Sequence, residues 1–146
     1  MLQRVLGFAS ILFLSPIQAE KPFRHGFSVN ASTSDLLAIR YDYLIHLNSK
    51  CCKAVKAIVP TLSVGALGSK YGLGYAWGNV YVHGYSMQQV SVFAYSKYLI
   101  GLGFDLERRY YGLEYKLTPL FFPISLGAYG NEEGEGMFTL SIGMGF

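Results

Sequence analysis

The chain has 146 residues, enough for one domain, of which 51% are hydrophobic and only 14% charged, with 17 Gly and 12 Tyr. A soluble domain carries nearer a quarter charged residues, yet past residue 20 there is no run of about 18 uncharged apolar residues such as a spanning helix needs. The formal charge of +3 comes without a Lys/Arg block, which excludes nucleic acid as a partner. A closed barrel is the other architecture that satisfies its backbone in lipid.

The first segment reads as a targeting sequence. Arg4 supplies a positive start, Val5 to Leu14 form a short apolar run, and Ser15, Pro16 and Ala19 suggest cleavage before Glu20. This divides the chain into a signal peptide over residues 1–19 and a barrel domain over residues 20–146.

Strands are expected at 24–33, 36–47, 55–67, 70–83, 88–106, 109–118, 121–130 and 136–146. In the second, Ile39, Tyr41, Tyr43 and Ile45 alternate with Arg40, Asp42, Leu44 and His46. Cys51 and Cys52 follow in a polar turn. As neighbours they are too close for an ordinary disulfide, since bridged Cα atoms prefer a separation of about 4.4–6.8 Å, and they read as turn residues without a role. Tyr71, Leu73, Tyr75 and Trp77 then alternate with Gly72, Gly74 and Ala76. Breaks at Gly78-Asn79 and Ser96-Lys97 would raise the count to ten strands. Those extra strands would be about seven residues long, short of the roughly 9–11 that a tilted spanning strand requires, so eight is preferred.

Further on, Tyr111, Leu113, Tyr115 and Leu117 alternate with Gly112, Glu114 and Lys116, and Phe122, Ile124, Leu126 and Ala128 with Pro123, Ser125, Gly127 and Tyr129. Apolar outside and polar inside is the pattern of a spanning strand. Turns are expected at Ser32 to Asp35, Asn48 to Lys53, Gly68 to Lys70, Glu107 to Arg109, Thr118-Pro119 and Asn131 to Gly136.

The strongest pattern closes the chain. Phe138, Leu140, Ile142, Met144 and Phe146 alternate strictly with Thr139, Ser141, Gly143 and Gly145. A final alternating strand that ends on a terminal Phe resembles the C-terminal signature of bacterial outer-membrane β-barrels, and the length is most similar to the small eight-stranded members. The resemblance implies an antiparallel up-and-down, porin-like transmembrane barrel in a Gram-negative outer membrane. It also implies recognition of Leu140, Ile142, Met144 and Phe146 by the outer-membrane assembly machinery, with outer-membrane lipid and lipopolysaccharide as surroundings. Both termini of an even-stranded barrel then face the periplasm, as do Cys51 and Cys52, while Ser32 to Asp35 and Asn131 to Gly136 lie outside.

Three constellations are candidates for function. Arg40, Asp42, Asp105, Glu107, Glu114 and Lys116 form a lumen-facing charge set. An interior this narrow is filled by side chains, so these charges must pair and plug it. His83 and Ser86 resemble the His/Ser pair of lipid A deacylase barrels, which would make the chain a lipid-modifying hydrolase. In that family the two residues stand two apart on one strand face, whereas here they are three apart and no Asn follows the Ser. The residues ahead of the first strand are too few for the amphipathic helix of a palmitoyltransferase barrel. The Tyr and Trp residues read as interfacial rings. Gly72, Gly74, Gly101, Gly103, Gly143 and Gly145 read as lumen space for large side chains. No metal or cofactor is implied. The leading expectation is a non-enzymatic barrel serving envelope integrity or surface interaction, with the hydrolase and a soluble secreted β-sandwich as alternatives.

Overall fold

The computed structural model describes residues 24–47, 54–81, 84–97 and 108–145. These form strands β1 (His25–Ser32), β2 (Leu36–Tyr43), β3 (Ile45–His46), β4 (Ala54–Gly65), β5 (Gly68–Tyr81), β6 (Gly84–Lys97), β7 (Arg108–Leu120), β8 (Ile124–Gly130) and β9 (Gly136–Gly145). β2 and β3 are one stave that pairs with β4 in a single register, and between them the Leu44 N–H donates to the Arg24 carbonyl at 2.8 Å, one step beyond the His25–Tyr43 pair. Neighbouring staves pair antiparallel in chain order, β2 also pairs with β4, and β1 pairs with β9, so the sheet closes into an eight-stave barrel.

Closure follows from alternation. With one face of each strand small or polar and the other large and apolar, a flat sheet would leave one face and both edges unsatisfied, and a barrel removes the edges. It also excludes the β-sandwich alternative, because one continuous ring of hydrogen bonds replaces two facing sheets.

Several expected boundaries move. Gly68 to Lys70 open β5 and do not form a turn, which falls instead on Ala66 and Leu67. The reason lies inside the barrel, where a Cβ on Gly68 would stand 2.6 Å from ring carbons of Tyr95, so the glycine admits that ring to the ladder. Thr118 and Pro119 lie within β7, and the chain turns at Phe121 to Pro123, after Leu120 takes a left-handed φ of 59°. β6 begins at Gly84 and not near residue 88, since Tyr81 pairs directly with Gly84. Gly78 and Asn79 sit inside β5, so no break falls there, while β6 stops at Lys97 and pairs directly with β7, and the barrel closes with eight staves and not ten. A second left-handed leucine, Leu36 at φ 60°, starts β2. Branched side chains adopt this region at a cost of about 1–2 kcal/mol.

The inside and the outside are chemically reversed relative to a water-soluble protein. Ser28, Asn30, Arg40, Asp42, Lys70 and Glu114 are among the buried residues, while Leu73, Val92, Leu113, Leu126 and Met144 are each about 60% exposed. Pleat parity decides each position, because successive side chains alternate faces.

Candidate functional site

The barrel interior is layered. At the end where β1 begins and β9 finishes, here the terminus end, Leu44, Val55, Ala57, Val59, Ala76 and Met87 form an aliphatic cluster. At the opposite end, the turn end, Phe93, Tyr95, Tyr110 and Tyr129 form an aromatic one. The charged residues lie between them.

β2 and β7 supply the centre of this belt. Arg40 and Asp42 stand two apart on β2, and Glu114 and Lys116 two apart on β7, so each pair projects inward from its own strand. Nη1 of Arg40 donates to Oε1 of Glu114, and Nζ of Lys116 donates to Oδ2 of Asp42 at 2.6 Å. Along β2, Nε of Arg40 also lies 3.1 Å from both carboxylate oxygens of Asp42.

Other staves complete the ring. Lys70 on β5 donates to Oε2 of Glu114 at 3.0 Å, and the Tyr129 hydroxyl on β8 donates to the same oxygen at 3.0 Å. Thr61 on β4 donates its hydroxyl to Oδ1 of Asp42, and the Gln89 amide on β6 donates to Ser91 at 2.8 Å. The cations of Arg40 and Lys70 also lie over the Phe93 ring, 5.4 and 5.8 Å from its centroid. Nη2 of Arg40 is buried without a hydrogen-bond partner.

The chemistry of this belt is cohesive. Each carboxylate accepts from at least two cations or hydroxyls, which offsets the several kcal/mol that desolvating an ion costs. Below the belt, a cavity of about 20 Å³ touches Ser28, Asp42, Leu44, Gln89, Lys116 and Thr118, room for about one water. Above it, Asp35 is buried and accepts from the Tyr95 hydroxyl at 3.0 Å and from the Ser34 hydroxyl at 3.1 Å. Among the described residues, no three His, Cys, Asp or Glu side chains group as a metal site.

Of the expected charge set, Arg40, Asp42, Glu114 and Lys116 therefore meet, while Asp105 and Glu107 lie outside the described residues. Sequence reasoning leaves Lys70 out of the charge set, because it stands where the expected turn Gly68 to Lys70 meets the expected strand 70–83. Its parity with Gly72, Gly74 and Ala76 was the available signal. Alternation places Tyr129 on the inward face but gives no sign of its bond to Glu114. His83, Cys51, Cys52, Gly101, Gly103 and Phe146 also lie outside the described residues. Ser86 projects outward from β6, out of phase with buried Met87 and Gln89, and is not part of the belt. Leu140, Ile142 and Met144 line the exposed face of β9.

No family model, curated protein or solved structure matches this chain. The functional reading therefore rests on geometry and on the pattern of the sequence.

Proposed function

We propose that this chain is a bacterial outer-membrane barrel, exported by its N-terminal segment, that acts without catalysis in envelope integrity or surface interaction. The observation that carries the reading is the reversed partition. A wall whose exposed residues include Phe27, Ile39, Leu62, Leu73, Val92, Leu113, Leu126 and Leu140 is costly in water and favourable in hydrocarbon.

Ring placement supports the same reading. Towards the terminus end, His25 stacks on Tyr41 at 6.0 Å and Phe27 packs on Tyr41 at 4.8 Å, while Tyr75 stacks on Trp77 at 5.9 Å. Towards the turn end, Tyr71 and Tyr111 flank Ala94 at one level of the wall. Aromatic residues thus lie towards both ends of the wall, with aliphatic residues such as Leu73, Val92 and Leu113 between them, the order in which a spanning wall meets interface and hydrocarbon.

The test is gel mobility of protein extracted from outer-membrane fractions. A sample that migrates differently before and after boiling supports a detergent-resistant barrel, and a soluble protein with identical migration overturns the reading. The hydrolase alternative is favoured by no geometry, as no described histidine or carboxylate is hydrogen-bonded to Ser86. A lipid A profile altered by overexpressing the wild type, but not the His83→Ala variant, would restore it.

A further inference from the structure

Turns between strands normally run over the surface, where water satisfies their polar groups. The β8–β9 turn does so, with residues 132–135 all exposed. The β1–β2 turn does not. Ser34 and Asp35 are only 8% and 1% exposed, folded inward against the aromatic layer of the turn end. Two glycines make room for them. A Cβ at Gly65 would stand 2.6 Å from Cβ of Asp35, and one at Gly68 would stand 2.5 Å from the hydroxyl oxygen of Tyr95. That hydroxyl donates to Oδ1 of Asp35 at 3.0 Å and lies 3.3 Å from the Ser34 carbonyl. Tyr95 stands on β6, three staves from β2, and packs on Tyr110 and Tyr129 with ring centroids 6.2 and 6.1 Å apart. One side chain therefore belongs both to the latch of the turn and to the layer that closes the lumen.

Holding the turn inward is costly in two ways. Asp42 and Glu114 each meet two cations, whereas Asp35 has no cation within ion-pair distance among the described residues. Its side-chain donors are the hydroxyls of Tyr95 and Ser34. A buried carboxylate without a countercharge is expensive. The second cost is at Leu36, where φ is 60° and the Leu37 N–H donates back to the Asp35 carbonyl at 2.7 Å. That is a γ-turn at positive φ, a rare and strained conformation. Both costs disappear when the turn swings out, because Asp35 then reaches water and Leu36 relaxes. The ends of the segment are anchored. Thr33 and Leu140 exchange bonds at 3.0 and 3.1 Å, and the Ala66 N–H donates to the Leu37 carbonyl at 2.9 Å. The movable part is thus Ser34 to Leu36.

We propose that Ser34 to Leu36 form a short lid at the turn-end mouth, latched by Asp35 on Tyr95, whose opening admits solvent to the Lys70 side of the charge belt. Opening takes from Tyr95 the carboxylate that fixes its ring in the layer. Lys70 lies directly behind that layer, with Nζ 5.8 Å from the Phe93 centroid and 6.0 Å from that of Tyr129. Tyr129 in turn bonds the Glu114 carboxylate that Lys70 holds. Few bonds hold the lid and two strains oppose them, so the closed and open packings differ little in free energy and one substitution shifts their balance. The device lies in the interior, and it works the same whether the outer wall meets lipid or water.

The experiment acetylates the folded full mature chain with trace acetic anhydride, after heat-modifiable mobility has confirmed the barrel, and reads each lysine by mass spectrometry. In the wild type, buried Lys70 is expected to react about tenfold more slowly than exposed Lys56, since it reacts only through local opening. Y95F removes the latch, and G65A puts a methyl against Cβ of Asp35. Each is expected to speed Lys70 about threefold. D35N keeps an acceptor for Tyr95 without burying a charge, and is expected to slow Lys70 severalfold. Lys116, which lines the cavity below the belt, should react as in the wild type in all three. Lys70 rates unchanged in folded Y95F and G65A overturn the lid, as do rises that are equal at Lys70 and Lys116. Should neither opening variant fold, D35N decides, and an unchanged or faster Lys70 overturns the lid.

Discussion

Arg40 and Glu114 are separated by 74 residues and meet across the full width of the barrel. Their strands, β2 and β7, stand four staves apart in either direction round the ring, which makes them diametrically opposed. Asp42 and Lys116 make the same crossing one inward position closer to the terminus end. Both strands run from the turn end to the terminus end, so Arg-x-Asp on one wall reads against Glu-x-Lys on the other with every charge matched.

Removing the Glu114 carboxylate leaves Arg40 with Asp42 alone and leaves buried Lys70 without its carboxylate. Glu114→Gln, which also loses the carboxylate that Lys70 and Tyr129 hold, is expected to cost about 3–5 kcal/mol. The double variant Arg40→Met with Glu114→Leu should recover a large part of that loss, since an apolar replacement leaves fewer ions stranded. Urea titration of the unboiled gel band checks both. A Glu114→Gln barrel as stable as wild type would mean that the belt holds nothing together.

The glycines of the barrel wall differ in how much room they have. A Cβ at Gly112 would collide with the Ala128 carbonyl and stand 2.7 Å from Cα of Tyr129, both backbone groups that cannot rotate aside. At Gly136 the nearest neighbour would be 3.9 Å away. Gly112→Ala is therefore expected to destabilise the barrel by about 1–3 kcal/mol, and Gly136→Ala to change it by less than about 0.5 kcal/mol. The comparison is read from the temperature at which each unboiled band is lost.

Phe93, Tyr95, Tyr110 and Tyr129 close the lumen at the turn end, and the aliphatic cluster around Leu44, Val59 and Met87 closes it at the terminus end. In a planar bilayer the wild-type barrel is expected to show no sustained single-channel steps. Replacing both Phe93 and Tyr129 by Ala removes two rings of the turn-end layer and should introduce brief openings. Sustained conductance from the wild type would show that the layers part in lipid.

The sequence by itself determined the phase of nearly every strand. A period of two leaves each side chain only two faces, and the contrast between Tyr, Leu or Ile and Gly, Ser or charge assigns them. That was enough to place Arg40, Asp42, Glu114 and Lys116 inside and Leu140, Ile142 and Met144 outside. It failed where turn chemistry competed with phase. Gly68 to Lys70 and Thr118-Pro119 look like breaks, yet Gly68 makes space for Tyr95 and Pro119 continues the ladder opposite Ser86. Lys70, at the boundary of that expected turn and the expected strand 70–83, stays out of the belt when only phase and turn chemistry are read.

Only the tertiary structure decided which charge meets which. Phase says that a side chain enters the lumen but not what stands opposite, since that depends on the number of staves and on the stagger with which the sheet closes. Eight staves put β2 opposite β7, and the closing registers of β1 with β9 and β2 with β4 bring Arg40 level with Glu114 and Asp42 with Lys116. One stave more or fewer would leave the same inward residues with different partners.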